Sequence, residues 1–111
     1  MTDKIVVLTT CDSEGAADEL ALHLVESRVA ACVNIVAGAR SIYRWKDKVE
    51  NAREWILVIK SRRDLFAALR VEIEKVHSYE VPEIIALPVV AGAEPYLAWL
   101  DSELRPPLER A

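Results

Sequence analysis

At 111 residues the chain has the size of one compact domain, long enough to bury about two-thirds of the surface its unfolded form would expose. Hydrophobic residues make up 52% and the net charge is −4, which excludes intrinsic disorder and a general nucleic-acid binder built on a basic stripe. So large an apolar share also predicts that part of the surface meets another chain.

The opening "MTDKIVVLTT" carries an apolar run too short for a secretory signal, with an acidic residue ahead of it. "IVVL" within it reads as a first strand over residues 5–10, apolar on both faces. "CDSEG" supplies Asp12 or Ser13 as an N-cap, and a helix is predicted to about residue 28. Its stripe is Ala17, Leu20, Ala21, Leu24 and Val25, which leaves His23 on the charged side as a surface histidine. "VAACVNIV" alternates as a second strand and the pattern resumes in "SIYRW", so one long strand is expected, kinked or bulged near Gly38.

"KDK" is a turn, and "WILVI" is a third strand apolar on both faces. Ser61 and Asp64 are spaced like a capping box for the next helix, whose buried stripe is Leu65, Ala68, Leu69, Ile73 and Val76. The basic cluster Lys60, Arg62 and Arg63 reads as a solvated face. "EIIALPVV" is a fourth strand, and a closing helix over residues 94–104 starts near Pro95. The longest apolar run, residues 84–93, contains a proline and is too short to span a membrane. Residues 1–111 therefore read as a single domain, with 105–111 as a frayed tail.

The order β-α-β-β-α-β plus a helix predicts an α+β, ferredoxin-like sandwich. The first and third strands, apolar on both faces, should be central, and Pro88 pushes the fourth to an edge. The predicted sheet order is 4-1-3-2.

Chemistry-bearing side chains gather in "VHSYEVPEII". His77 could take a metal through a ring nitrogen, with Glu80 or Glu83 as an oxygen ligand, or could simply close a helix against its dipole. Cys32 lies in an apolar strand and suits a core position. Cys11 stands where a strand meets a helix N-terminus, a place that favours thiolate and soft-metal capture, although a bystander thiol fits that position at least as well. No CxxC pair, nucleophile elbow or phosphate-cradling glycine loop is present, so the motifs point away from an enzyme. Two cysteines make no disulfide scaffold, and the expected compartment is the reducing cytoplasm. Tyr43, Trp45, Tyr96 and Trp99 supply aromatic surface for a pocket, an interface or the core.

"RVAACVNIV", "SIYRWKDKVENAREWILVIKS", "VHSYEVPEIIALPV" and "YLAWL" together resemble the successive signature stretches of the CutA divalent-cation tolerance proteins. The resemblance runs from about residue 5 to 104 and implies a ferredoxin-like homotrimer that binds divalent metals, copper above all. It carries over His77, Tyr79, Pro82, Glu83 and Cys32; a first-strand cysteine found in some members corresponds to Thr9, with Cys11 two residues later. The expected metal set is His77, Cys11 and Glu83, with a cleft lined by Cys32, Tyr43, Trp45, Lys60, Tyr79, Pro82, Tyr96 and Trp99. The architecture also resembles PII-type trimers, which makes a sensor or adaptor binding a small anionic ligand between subunits the alternative. No nucleic-acid or membrane partner is expected.

Overall fold

A computed structural model describes residues 1–106. Strand β1 (Lys4–Cys11) leads to helix α1 (Glu14–Glu26), then β2 (Cys32–Trp45) and β3 (Lys48–Arg62). Helix α2 (Phe66–Val76), strand β4 (Ile85–Pro88) and helix α3 (Glu94–Glu103) complete the order. The sheet runs β2-β3-β1-β4, which is the 4-1-3-2 order expected from strand burial, and neighbouring strands are antiparallel throughout. Pro88 lies on β4, at the sheet edge, where its missing N–H leaves no ladder bond unmade.

Helices α1 and α2 cover one face of the sheet. Ile5 and Val7 of β1 and Leu57 and Ile59 of β3 point into that core with Leu20, Leu24, Leu69 and Ile73 of the helices. Ser13 caps α1, its Oγ accepting from the Ala16 N–H. Arg28, at φ 60°, turns the chain out of the helix, and Val29 and Ala30 donate back to the Leu24 carbonyl. Residues 29–31 are therefore a buried connection, and β2 starts at Cys32.

The expectation that β1 and β3 are covered on both sides needs correction. Val6, Leu8, Ile56 and Val58 face away from the helices and are only half-buried. Ile85 and Leu87 continue that face on β4 and are about half exposed, at 49% and 48%. Their alternation from the pleat is regular; among the described residues no second layer covers that face.

Three other local expectations change. Ser61 does not cap a helix: it is inside β3, fully buried, with its hydroxyl donating to the Val29 carbonyl at 2.6 Å. A 3-10 turn, Arg63–Leu65, intervenes before α2. Arg62 is not solvated: it is 3% exposed and bonds Asp64 at 2.6 Å, Asp101 at 3.2 Å and the Arg105 carbonyl at 2.6 Å. His23 is not a free surface group, because its Nε2 meets Glu72 of α2 at 2.8 Å.

The tail is also anchored at its first residue, where the Arg105 N–H donates to the Arg28 carbonyl at 3.0 Å. The remainder of the expected frayed segment, from residue 107, lies outside the described residues.

Strands β2 and β3 extend past the rest of the sheet. β1 reaches only as far as Trp55 of β3, so residues 39–45 and 48–54 pair only with each other and form a two-stranded arm. The anticipated bulge is present between Val36 and Ala39, with Gly38 at φ 86°. At the tip, Lys46 and Asp47 both adopt positive φ, 49° and 66°, the geometry of a two-residue hairpin turn matched to strand twist.

Candidate functional site

The segment after α2 wraps around the Cys11 end of β1 and fastens there through His77. Its Nε2 bonds the Thr10 carbonyl at 2.6 Å, and its Nδ1 accepts from the Tyr79 N–H at 3.1 Å. A carbonyl can only accept and an amide N–H can only donate, so these partners select the neutral imidazole with its hydrogen on Nε2. The helix end thus anchors the segment by side-chain hydrogen bonds.

Tyr79 carries the linkage onward. Its hydroxyl donates to Glu54 Oε2 at 2.6 Å, and its ring tilts against His77 with centroids 4.6 Å apart. Glu54 is 6% exposed, at the point where β3 leaves β1 and enters the arm. Burial pushes its pKa up, but hydroxyl donors on Ser41, Tyr79 and Thr10 outweigh that and hold the carboxyl below its ordinary value. The same burial, with the Glu54 charge beside it, pushes the Tyr79 phenol well above its usual range. At neutral pH this is a carboxylate with donors aimed at it.

Two hollows flank the linkage. On the helix side a small cavity of about 160 Å³ is lined by Cys11, His77, Ala16, Leu20 and Val76 among others. On the opposite side lies an open groove of about 740 Å³. Asp12, Glu54, Glu80 and Glu83 supply its acidic wall, while Tyr43, Trp45 and Tyr79 supply rings. Among the described residues that line this groove none is basic, and Lys46 stands at its rim, 3.8 Å from Glu80.

The structure distributes the sequence-derived candidates over several places. Tyr43, Trp45, Tyr79 and Glu83 share the groove, and His77 and Cys11 share the small cavity. Cys32 and Lys60 are cross-strand partners on the uncovered sheet face, with Lys60 bonded to Asn34. Tyr96 and Trp99 pack on each other at 5.7 Å on α3, which seats at the other end of β1 and β3 through Asp101. Pro82 is half-buried and is not among the residues lining either hollow.

The expectation of a thiolate at Cys11 is corrected. Burial first, then the Asp12 and Glu54 charges, push its pKa up to about 11. Among the described residues no three His, Cys, Asp or Glu side chains gather closely enough to hold a metal ion by themselves. Glu54 escaped the sequence reading. Its signal was its parity: it precedes Ile56 and Val58 on the same strand face, an acid in line with apolar positions.

The family model for "CutA1 divalent ion tolerance protein" matches residues 5–103. The chain belongs to the CutA1 family. A CutA "divalent-cation tolerance protein" of Thermus thermophilus is 47% identical over 95 residues, covering 86% of this chain and 92% of the relative. The chloroplastic CutA of Arabidopsis thaliana is 43% identical over 101 residues, 91% of this chain. The CutA chain spans only 56% of that plant relative's length. The crystal structure of CutA from Xylella fastidiosa superposes with a TM-score of 0.91 at 35% identity, covering 94% of this chain and all of that one. The ferredoxin-like sandwich of this CutA chain is thus the family's fold.

Proposed function

We propose that this CutA-family chain works in the cytoplasm as a homotrimer that binds divalent metal ions of the copper class in metal-ion tolerance. The observation that carries the metal reading is that an imidazole and a thiol, His77 and Cys11, line one small cavity. Imidazole with sulfur suits copper or zinc rather than magnesium or calcium.

The donor types fit such an ion, but each is engaged: His77 would have to exchange one of its two hydrogen bonds. Cys11 would have to give up a proton held up to about pH 11, which costs about 5 kcal/mol at neutral pH. A modest, pH-dependent affinity follows, with His77 the principal ligand. Glu83, on the neighbouring groove, would help only from the far side of the segment.

Assembly is supported by the uncovered sheet face and the arm. A two-stranded ribbon is marginal in water by itself, and this one exposes Ile42 and Val49 by 69% and 66%. A cyclic oligomer would cover both at once; the number three follows the family resemblance. Light scattering should give three times the 12.4 kDa subunit mass, and a single-subunit mass at micromolar concentration would defeat the assembly reading.

Copper and zinc calorimetry on the parent, His77→Ala and Cys11→Ser tests the metal reading. If thiolate is a ligand, affinity rises about tenfold per pH unit beyond any imidazole contribution, and Cys11→Ser abolishes that slope. His77→Ala binding copper as tightly as the parent would overturn it.

A further inference from the structure

The His77 ring holds hydrogen bonds of two kinds, and only one of them can give way to a metal ion cheaply. Nε2–H donates to the Thr10 carbonyl at 2.6 Å, while Nδ1 accepts from the Tyr79 N–H at 3.1 Å. The free lone pair of the imidazole therefore sits on Nδ1 and the ring proton on Nε2. A histidine that ligates a metal characteristically donates its other N–H to a carbonyl or carboxylate, which fixes the tautomer and the ring plane. Thr10 already plays that part for His77. Its carbonyl belongs to the peptide unit leading into Cys11, whose thiol lines the same small cavity as His77.

The two ring nitrogens differ as donors. Ligation through Nε2 would move the proton to Nδ1, so the Thr10 carbonyl would lose its donor and the Tyr79 N–H would face another N–H. Both bonds would be lost. Ligation through Nδ1 costs only the longer bond, to Tyr79, and leaves the shorter one intact. Tyr79 is in turn kept in place by its phenol, which donates to the buried Glu54 carboxylate at 2.6 Å.

We infer that Nδ1 is the metal-ligating atom of His77, that the Thr10 carbonyl orients the ring, and that the Tyr79 amide is a gate on Nδ1 held shut by the phenol–Glu54 bond. The gate rests on the metal reading of this cavity and adds its regulation. Loosening Tyr79 from Glu54 raises metal affinity, and by reciprocity an occupied Nδ1 loosens Tyr79.

The test is long-range proton–nitrogen NMR of the intact protein, isotope-labelled at the histidine nitrogens and titrated with zinc, which is diamagnetic. At neutral pH the metal-free protein is expected to show His77 as the Nε2–H tautomer. Zinc should then shift the Nδ1 resonance while Nε2 stays protonated. His77→Ala assigns the signals by leaving only those of His23. In calorimetry Tyr79→Phe should bind zinc roughly fivefold more tightly than the parent, because the gate has lost its hold. Zinc entering at Nε2, a metal-free Nδ1–H tautomer, or equal or weaker zinc binding by Tyr79→Phe would each overturn the gate and leave the metal reading standing. No zinc binding, or binding that leaves both His77 nitrogens unshifted, would overturn the metal reading as well.

Discussion

Replacing Tyr79 by phenylalanine removes one oxygen and leaves the ring against His77. The lost group is the phenol donor to Glu54 Oε2, at 2.6 Å, acting on a carboxylate only 6% exposed. A hydrogen bond to a buried charge contributes ~1.5–3 kcal/mol, so Tyr79→Phe should destabilise by about 2 kcal/mol at pH 7. With an ordinary urea slope that lowers the midpoint by roughly 1 M. The pH dependence has a definite sign. Glu54 titrates below its ordinary value in the folded protein, so the stability it contributes is present above the unfolded pKa and lost as pH falls through the folded one. Without the phenol one of the donors that keep the carboxylate charged is gone, so the carboxyl protonates earlier in the fall. The gap between parent and variant should therefore be full at pH 7 and narrow below about pH 4.5. Urea unfolding followed by tryptophan fluorescence, at one fixed protein concentration, measures both; Tyr96→Phe, on the exposed face of α3, is the control. A loss under about 0.5 kcal/mol, or a gap that widens in acid, would refute the charge-assisted bond.

Other outcomes are equally definite. With its pKa raised from 9.0 to about 11, Cys11 should hold about 100-fold less thiolate than an ordinary cysteine. Alkylation of the native protein, read by mass spectrometry, should be slower by at least that factor than in urea; equal rates would restore the thiolate reading. Asp47→Gly removes a side chain from a positive-φ position and should stabilise by about 1 kcal/mol, seen as a higher thermal midpoint and reversed if the turn changes type. Arg62→Met strips Asp64, Asp101 and the Arg105 carbonyl of a shared donor. It should cost about 2 kcal/mol and speed hydrogen exchange in α3, and an unchanged exchange pattern would show that α3 is held without Arg62, by Leu100 and Leu104 packing and the Lys4–Asp101 pair.

Strand order was legible because parity and proline placement are local rules with long-range consequences: "IVVL", "WILVI" and Pro88 each constrain position in the sheet. The bulge at Gly38 and the Lys46-Asp47 turn were legible for the same reason. Arg62 and Ser61 were misread because their partners, Asp101 and Val29, are distant in sequence, and no window over one segment contains them. The site was half legible. The signature segment drew attention to His77 and Tyr79, but the carboxylate that Tyr79 meets sits on β3, marked in the sequence only by its parity with Ile56 and Val58. At Cys11 the burial and the Glu54 charge that push the thiol up come from the assembled fold and are not visible at the strand-to-helix junction alone.

Glu54 stands where β3 passes from the sheltered sheet into the two-stranded arm, and that position makes it a fulcrum. Any tilt of the arm turns the strand about this residue, while Tyr79 is moored to β1 through His77 and Thr10. Displacement at the Lys46-Asp47 tip, a strand's length away, therefore bears on the bond between the Tyr79 phenol and the Glu54 carboxylate. The arm is a lever whose short end opens into the acidic groove, so groove shape and arm angle form one mechanical coordinate.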